Sequence, residues 1–291
     1  MAHGEPLPWD GFQREVDETL RSVAAGEVAS GGVDAAWREA LLSPGKRVRP
    51  ILMLLVAGMF SVPRRRVLPL AVIVEMVHAA SLVLDDLPCM DDADTRRGRP
   101  SLHKTHGEAV ATLASFELLS RAHARLPAAC AVARLPRRRW AALGDELAHV
   151  VEQLCRGQAL DLAGTAEAVD ELERVHAQKT GSLFVLSARW GALAGRPSSV
   201  ELDAVEDYAR NLGLAFQVMD DVLDCVGDAG RLGKPVGQDA SRATFVDLLG
   251  LDGARRLADE LTATAVHCLA PFGRRGAELE TLAREVVSRV R

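Results

Sequence analysis

Two aspartate clusters are the residues of this chain best suited to chemistry. The first runs from Asp85 to Asp94 and holds five Asp without a basic residue, and the second, from Asp220 to Asp228, holds four. Asp220 and Asp224 are four residues apart, which places both carboxylates on one face of a helix. Because like charges so placed repel each other beside a largely apolar segment, a bound cation would offset the cost. Hard oxygen ligands in an incomplete set indicate magnesium, which takes its remaining ligands from water and phosphate groups.

The first cluster has a spacing that a regular helix does not bring together. Asp85 and Asp91 are six residues apart, so an unbroken helix would place them on different faces. Pro88 lies between them and is expected to bend or end the helix. This departure from regular geometry would let both carboxylates reach one metal ion.

Basic residues follow each cluster within a short distance. Arg96 and Arg97 follow the first, and Lys234 follows the second. Either cluster alone also fits an ordinary solvated helix end. Because both follow apolar helices and both are followed by bases, the pair of clusters predicts a site for a metal-bound diphosphate.

The elements that position these residues are predicted to be helices. Apolar residues recur mostly at three- and four-residue spacing, and no run alternates convincingly with period two. The pattern therefore predicts an all-α protein, with breaks at Gly and Pro. The predicted helices cover residues 10–25, 33–43, 48–60, 67–86, 106–124, 137–163, 169–195, 200–227, 252–270 and 276–290.

Composition is that of a globular protein with a large core. The 291 residues are 48% apolar and 26% charged, and no stretch rich in Gly, Ser and Pro is long enough to be a linker, so one domain over 1–291 is predicted. The longest apolar stretch, Val67 to Leu84, is interrupted by Pro69, Glu75 and His78, which argues against a membrane span.

Charge, cysteine content and the amino terminus restrict the class of protein further. The net charge of −5 argues against a nucleic-acid partner. The five cysteines are scattered and form no Cys-x-x-Cys pair, which favours reduced thiols over disulfides or a zinc site. The first twenty residues lack the basic and apolar regions of a secretory signal, so a cytoplasmic location is expected.

Five motifs, in their order and spacing, resemble the trans-isoprenyl diphosphate synthases, the polyprenyl synthetase family. The resemblance runs from about residue 42 to the carboxyl terminus. It implies a single-domain isoprenoid-synthase bundle of helices around a central cavity, a dependence on Mg²⁺ and a homodimer. The motifs are PGKRVRP at 44–50, HAASLVLDDLPCMDDADTRRGRPSLH at 78–103, GQALDL at 157–162, QKTGSLF at 178–184 and FQVMDDVLDCVGDAGRLGKPVGQD at 216–239.

The resemblance implies a prenyltransferase reaction. An allylic diphosphate loses its diphosphate, and the double bond of isopentenyl diphosphate attacks the resulting carbocation. Loss of a proton then gives a longer allylic diphosphate. Breaking the carbon–oxygen bond requires charge neutralisation on the leaving group, which bound magnesium and fixed bases would supply.

The resemblance also assigns roles to residues. The metal set is Asp85, Asp86, Asp91, Asp220, Asp221 and Asp224. Arg96, Lys179 and Lys234 would bind the allylic diphosphate, with Arg242 standing where the family usually has Lys. Isopentenyl diphosphate would be held without metal by Lys46, Arg49, His78 and Arg97. Thr180 and Gln217 would turn oxygen dipoles toward the carbocation, with Gln158 and Asp161 supporting the site.

Some of these residues have simpler interpretations when taken alone. Lys46 and Arg49 also fit an ordinary solvated loop, and His78 also fits a core histidine with a backbone partner. The motif around them favours the binding role.

The helix before Asp85 carries the prediction of product length. In the family the product grows down a tunnel beneath the aspartates, and Ala80 and Ser81, about one turn before Asp85, would face it. Members that stop at the fifteen-carbon product commonly have an aromatic residue there. With small residues here and Met76 as a floor, the twenty-carbon geranylgeranyl diphosphate is favoured over farnesyl diphosphate.

One departure from the family pattern leaves an alternative open. After Ala114 roughly seven residues, near two helical turns, are missing relative to the family. A loss of that length nearly preserves which helix face points inward. The missing residues also suggest a non-catalytic subunit that regulates an active synthase. Such subunits often lose one Asp motif, whereas this chain keeps both. A class I terpene cyclase is disfavoured by the second motif, Asp220-Asp221-x-x-Asp224, and by the bases that would serve a second diphosphate, which are Lys46, Arg49, Arg96 and Arg97.

Overall fold

The structure is a computed structural model that describes residues 9–26, 31–229 and 242–288. The described chain is almost entirely helical and divides into two compact units. One unit comprises Met1–Leu147 with Leu193–Gly195, and the other comprises Ala148–Ala192 with Arg196–Arg291. The single domain over 1–291 stays a prediction.

The first unit is built around one apolar helix. Its helices are α1 (Asp10–Ala25), α2 (Gly32–Leu41), α3 (Val48–Met59), α4 (Arg64–Asp85), α5 (Leu102–His106) and α6 (Glu108–Val132), followed by a 3₁₀ turn at Arg137–Arg139 and the start of α7 (Trp140–Ala163). Helices α1, α2, α3 and α6 all contact α4. This burial explains why α3 and α4 are apolar on nearly every face.

Helix α4 is, among the described residues, the one helix long and apolar enough to cross a membrane. An 18-residue window within it has a mean hydropathy of 2.2, and 67% of that window is buried. Its neighbours in the first unit therefore cover most of its apolar surface.

A small hairpin interrupts the helices after the first Asp cluster. Strand β1 (Thr95–Arg96) pairs antiparallel with β2 (Arg99–Pro100). Arg97 and Gly98 make the turn with φ values of 53° and 76°, the left-handed conformation that two-residue hairpin turns require. The sequence prediction held no strand, because two residues are too few to show alternation.

Helix α6 continues without interruption through the site of the apparent deletion. Ala114 and Ser115 are both buried in it, and the Ser115 hydroxyl donates to the carbonyl of Ala80 on α4 at 2.8 Å. The helix is therefore unbroken at this position and packs against α4 there.

The second unit is also helical. It contains the rest of α7, α8 (Val169–His176), a five-residue π-helical turn (Ala177–Gly181), α9 (Ser182–Leu193), α10 (Ser199–Ala229), α11 (Phe245–Cys268), a 3₁₀ segment (Ala270–Gly276) and α12 (Ala277–Ser288). Helix α10 contacts α11, α12 and the π-helical turn. The buried Tyr208 hydroxyl on α10 donates to the Leu279 carbonyl on α12 at 2.7 Å.

Helix α11 begins earlier than the sequence prediction placed it. Thr244 caps it, since its side chain accepts from the Asp247 amide while the Asp247 carboxylate accepts from the Thr244 amide. The sequence prediction began it at residue 252. Gly250 has φ 69° and kinks the helix at that point, so the residues before the kink belong to the same element as those after it.

Candidate active site

The first Asp cluster begins where α4 ends. The Asp91 amide donates to the Asp85 carbonyl at 2.9 Å, and the Met90 and Asp92 amides both donate to the Leu87 carbonyl. Asp92 has φ 45°. The chain therefore folds back after Pro88, as the sequence predicted, and brings the backbone of Asp91 against that of Asp85.

The neighbouring carboxylate of Asp86 has a different partner. Asp86 is only 3% exposed and accepts hydrogen bonds from Nε and Nη2 of Arg96 on β1. Burial opposes the charge on Arg96, but Asp86 and the carboxylates of Asp85 and Asp91 outweigh it and raise the pKa of Arg96. The hairpin thus holds a guanidinium beside the cluster through Asp86.

Two arginines converge on His78 in the same unit. The Nη1 atom of Arg49 lies 3.3 Å from Nε2 of His78, and Nη2 of Arg97 lies 3.5 Å from the same atom. Burial first, and then the charges of Arg49 and Arg97, lower the pKa of His78 well below its ordinary value. A neutral imidazole with Nε2 facing two N–H donors must accept there and carry its proton on Nδ1.

Arg97 is held in place by the loop before α3. Its Nη1 donates to the Pro44 carbonyl at 2.7 Å. A Cβ atom on Gly45 would lie 2.3 Å from that Nη1 atom. Gly45 is therefore required for the close approach of the guanidinium to the loop.

A chain of hydrogen bonds in the second unit joins two predicted catalytic residues to the second Asp cluster. The Thr180 hydroxyl donates to Oε1 of Gln217 at 3.0 Å, and Nε2 of Gln217 donates to Oδ1 of Asp221 at 3.1 Å. Asp221 accepts a second bond, at Oδ2, from the Phe245 amide at 2.9 Å. Burial raises the pKa of Asp221, although these two donors oppose the shift.

The Phe245 amide is a partner that sequence reasoning missed. It belongs to the first turn of α11, where backbone N–H groups have no partner within the helix. The signal that could have located it is the capping pattern of Thr244 and Asp247.

Asp161 joins two of the predicted diphosphate-binding bases. Its Oδ2 accepts from Lys179 at 2.6 Å and lies 3.3 Å from Nη1 of Arg242. Asp161 is mostly buried, so the two cations compensate a carboxylate that would be costly alone. Gln158, one turn earlier on α7, is buried with no hydrogen-bond partner at either amide atom.

The π-helical turn that carries Lys179 and Thr180 packs closely against a glycine on each of two neighbouring helices. A Cβ on Gly157 of α7 would lie 2.4 Å from the Lys179 amide nitrogen, and a Cβ on Gly213 of α10 would lie 3.2 Å from Cα of Gly181. Single π turns inside helices are frequent at functional sites. Here the wider turn contacts both neighbouring helices backbone to backbone.

The remaining predicted residues lie in both units. Asp220 is half-buried and Asp224 exposed, one turn apart on α10 as predicted. Lys46 lies in the loop before α3, and Lys234 falls outside the described residues. Within the described ranges, no three acidic, histidine or cysteine side chains are grouped so as to hold a metal ion.

Comparison with known proteins decides the family. The sequence model named polyprenyl synthetase matches residues 33–256. The chain belongs to the polyprenyl synthetase family. The resemblance in the motifs is thereby confirmed, and this polyprenyl synthetase is a prenyltransferase.

Relatives of this polyprenyl synthetase are similar over most of their length. "Geranylgeranyl pyrophosphate synthase 6, mitochondrial" of Arabidopsis thaliana is 41% identical over 251 residues, which cover 82% of this chain and 74% of the relative. "Geranylgeranyl diphosphate synthase" of Pantoea ananas is 39% identical over 242 residues, covering 81% and 78%.

Comparison with solved structures confirms the prediction of an all-α fold. Geranylgeranyl pyrophosphate synthetase from Pyrococcus horikoshii aligns with a TM-score of 0.84 at 28% identity, over 96% of each chain. A geranyltransferase from Legionella pneumophila aligns with the same TM-score at 27% identity, over 96% of this chain and 95% of its own. This polyprenyl synthetase therefore has the isoprenoid-synthase fold.

Proposed function

We propose that this polyprenyl synthetase condenses isopentenyl diphosphate with allylic diphosphates and releases geranylgeranyl diphosphate. Membership of the family supports isoprenoid diphosphates as substrates. The names of the relatives support the twenty-carbon product.

The observation that carries the product assignment is on α4, one turn before Asp85. Ala80 is fully buried and Ser81 is half-buried, and because both side chains are small, neither would obstruct a growing tail. Met76, one turn earlier, is also fully buried and would form the floor. Farnesyl diphosphate as the end product would require a bulkier side chain contributed by another helix.

Magnesium is proposed as the cofactor on the chemistry of the donors. Asp85 and Asp91 come together at a reversing turn, and Asp220 and Asp224 are one turn apart on α10. Carboxylate oxygens are the ligands that magnesium takes from proteins, so these residues fit it. Bound there, the metal would neutralise the leaving diphosphate as a Lewis acid.

The bases have distinct roles in the proposal. Arg49, His78 and Arg97, with Lys46, would bind isopentenyl diphosphate, and the absence of a carboxylate from this set suits direct phosphate binding. Arg96, Lys179 and Lys234 would bind the allylic diphosphate, with Arg242 joined to Lys179 through Asp161.

Thr180 is proposed to stabilise the carbocation. Its hydroxyl proton is directed to Gln217, whose amide is fixed in turn by Asp221. The lone pairs of the Thr180 oxygen therefore remain for developing positive charge.

A homodimer is proposed on the surface of α6. Leu113 and Phe116 are 54% and 64% exposed and lie on one face of that helix, three residues apart. Large exposed apolar side chains grouped in this way mark interaction surfaces. The expected partner is a second copy of the chain.

The proposed function is tested by product analysis. The purified chain is incubated with Mg²⁺, isopentenyl diphosphate and dimethylallyl, geranyl or farnesyl diphosphate in turn, and products are identified by mass. A twenty-carbon diphosphate is expected. A fifteen-carbon end product would place the floor higher, a hydrocarbon would indicate a cyclase, and no turnover from folded protein would favour the non-catalytic subunit.

A further inference from the structure

Next to Lys46 in the chain, Arg47 forms ion pairs with two carboxylates, those of Asp17 and Glu75, and these three residues form a triad. Nε of Arg47 donates to Asp17 on α1 at 2.8 Å, and Nη1 donates to Glu75 on α4 at 2.6 Å. Arg47 and Glu75 are 6% and 2% exposed. Although burial opposes the charge, the Glu75 and Asp17 carboxylates raise the pKa of Arg47.

The triad fixes a strained backbone. Arg47 caps α3 in the left-handed region, with φ 51° and ψ 33°, a conformation that costs about 1 kcal/mol or more in a residue with a Cβ. Such strain persists only where the surroundings over-determine it, and it clusters at functional sites. Three fixed donor groups on one guanidinium supply that constraint here, since Nη2 also donates to the Ser43 carbonyl at 2.6 Å.

The whole loop is bound at its carbonyl groups. The Ser43 carbonyl accepts from Arg47, the Pro44 carbonyl from Arg97 and the Gly45 carbonyl from Gln13. Arg47 is flanked by Lys46 and lies two residues before Arg49. The side chain that sets the loop is therefore adjacent in the chain to those that would hold a diphosphate.

Glu75 lies on α4, the helix that also carries His78. It lies one turn before His78, which receives Arg49 and Arg97 at Nε2. One helix thus presents the triad carboxylate and the acceptor of the binding bases three residues apart. Neither Glu75 nor Arg47 is among the residues assigned to bind substrate.

We propose that Glu75, acting through Arg47, is a positioning residue for isopentenyl diphosphate. It holds the 43–47 loop in the one conformation that presents Lys46 and Arg49 to the diphosphate. This inference rests on the proposed function for the identity of the ligand. Asp17 supports the same guanidinium from α1.

The variant Glu75→Gln tests the inference, because the two explanations predict opposite changes in the dissociation constant for isopentenyl diphosphate. Removing a negative charge near an anion site would tighten anion binding if Coulomb attraction alone mattered. Loss of positioning predicts the opposite, a dissociation constant for isopentenyl diphosphate about tenfold higher, which corresponds to one misplaced charge-assisted contact. Binding is measured in EDTA by calorimetry, so that neither magnesium nor turnover is needed.

Arg47→Lys separates shape from charge. Lysine keeps the positive charge but lacks the planar fork that reaches Asp17, Glu75 and Ser43 together. We expect it to weaken isopentenyl diphosphate binding as Glu75→Gln does. With Mg²⁺ present, both variants should raise KM for isopentenyl diphosphate and leave KM for geranyl diphosphate and kcat within about twofold.

Asp34→Asn is the matched control. Asp34 is a similarly buried carboxylate of the first unit that accepts from Trp37 at 3.1 Å and lies 3.6 Å from Arg121. Its loss should lower thermal stability and leave the dissociation constant unchanged. If Glu75→Gln fails to fold, Asp17→Asn, at the more exposed end of the triad, carries the test with an expected rise of about threefold.

Unchanged or tighter binding of isopentenyl diphosphate in folded Glu75→Gln and Arg47→Lys overturns the inference. So does an equal rise in KM for both substrates. Failure of the proposed function is distinguishable, because it would appear as wild-type protein that gives no product with any primer while its binding in EDTA remains measurable.

Discussion

The amide of Asp91 donates to the carbonyl of Asp85 across the turn that ends α4. They are six positions apart in sequence, yet a single backbone hydrogen bond brings the two ends of the motif together. The two side chains therefore leave the backbone at points that are close in space, although a regular helix would place them on different faces.

Neutralising either aspartate should therefore remove most activity. We expect Asp85→Asn and Asp91→Asn each to lower kcat by about a hundredfold or more, because each removes a carboxylate ligand from the proposed magnesium that would stabilise the leaving diphosphate. Steady-state kinetics with Mg²⁺ measure the effect. Asp92→Asn is the control, since Asp92 is exposed and lies 3.9 Å from Lys104, and it should retain activity within severalfold.

Gly157→Ala should disturb the π-helical turn. The new methyl group would lie 2.4 Å from the Lys179 amide nitrogen, so α7 or the turn must move. We expect a loss of about 2 kcal/mol in the free energy of unfolding and a higher KM for the allylic diphosphate. Gly58→Ala, on α3 with open space at its Cβ, should not destabilise the protein and should leave the KM unchanged, and equal behaviour of the two variants would contradict the close-contact argument.

Ser81→Phe should shorten the product. An aromatic ring one turn before Asp85 would fill the space into which the tail is proposed to grow. We expect fifteen-carbon diphosphate to replace the twenty-carbon product, with kcat for the first condensations changed less than about tenfold. Mass analysis of the products checks this, with Ser120→Phe on the exposed side of α6 as control. An unchanged product would move the tunnel to another face of α4.

His176 should make stability depend on pH. Burial lowers its pKa to about 4, whereas the unfolded chain titrates this imidazole near its ordinary value of about 6.5. Between these values the unfolded state binds the extra proton, so stability falls as the pH drops from about 6.5 to about 4, by about 3 kcal/mol in total.

The measurement is urea unfolding of wild type and His176→Gln at pH 7, 6 and 5. The difference in free energy of unfolding between the two proteins should shrink as the pH falls, because only the wild type loses this contribution. A constant difference for His176→Gln would show that folding does not lower the pKa of His176.

Sequence reasoning located the helices and the chemistry because both have local signals. Apolar spacing predicts α4 and α10, and the Asp clusters stand out by charge alone. Partners brought together from distant segments have no such signal. Arg47 binds Asp17 and Glu75, which lie 30 and 28 residues away, and no spacing rule connects positions so far apart.

Left-handed positions were missed for a related reason. Arg47, Asp92 and Arg97 all have positive φ, a conformation that sequence rules assign to glycine or asparagine. At these residues tertiary contacts override the intrinsic preference. The π-helical turn is a similar case, because residues 169–195 have the apolar pattern of one continuous helix, and that prediction missed the turn inside it.

The π-helical turn also has a consequence for how the gene tolerates change. Such a turn holds one residue more than an α-helical turn, so an in-frame deletion of a single codon between Ala177 and Gly181 would let the segment relax into ordinary helix. Because the wide turn already accommodates that extra residue, the deletion would leave α8 and α9 close to their present register and would instead change the positions of the turn's own side chains, Lys179 and Thr180 among them. Lineages that retain activity should therefore keep the length of this segment even where its residues diverge.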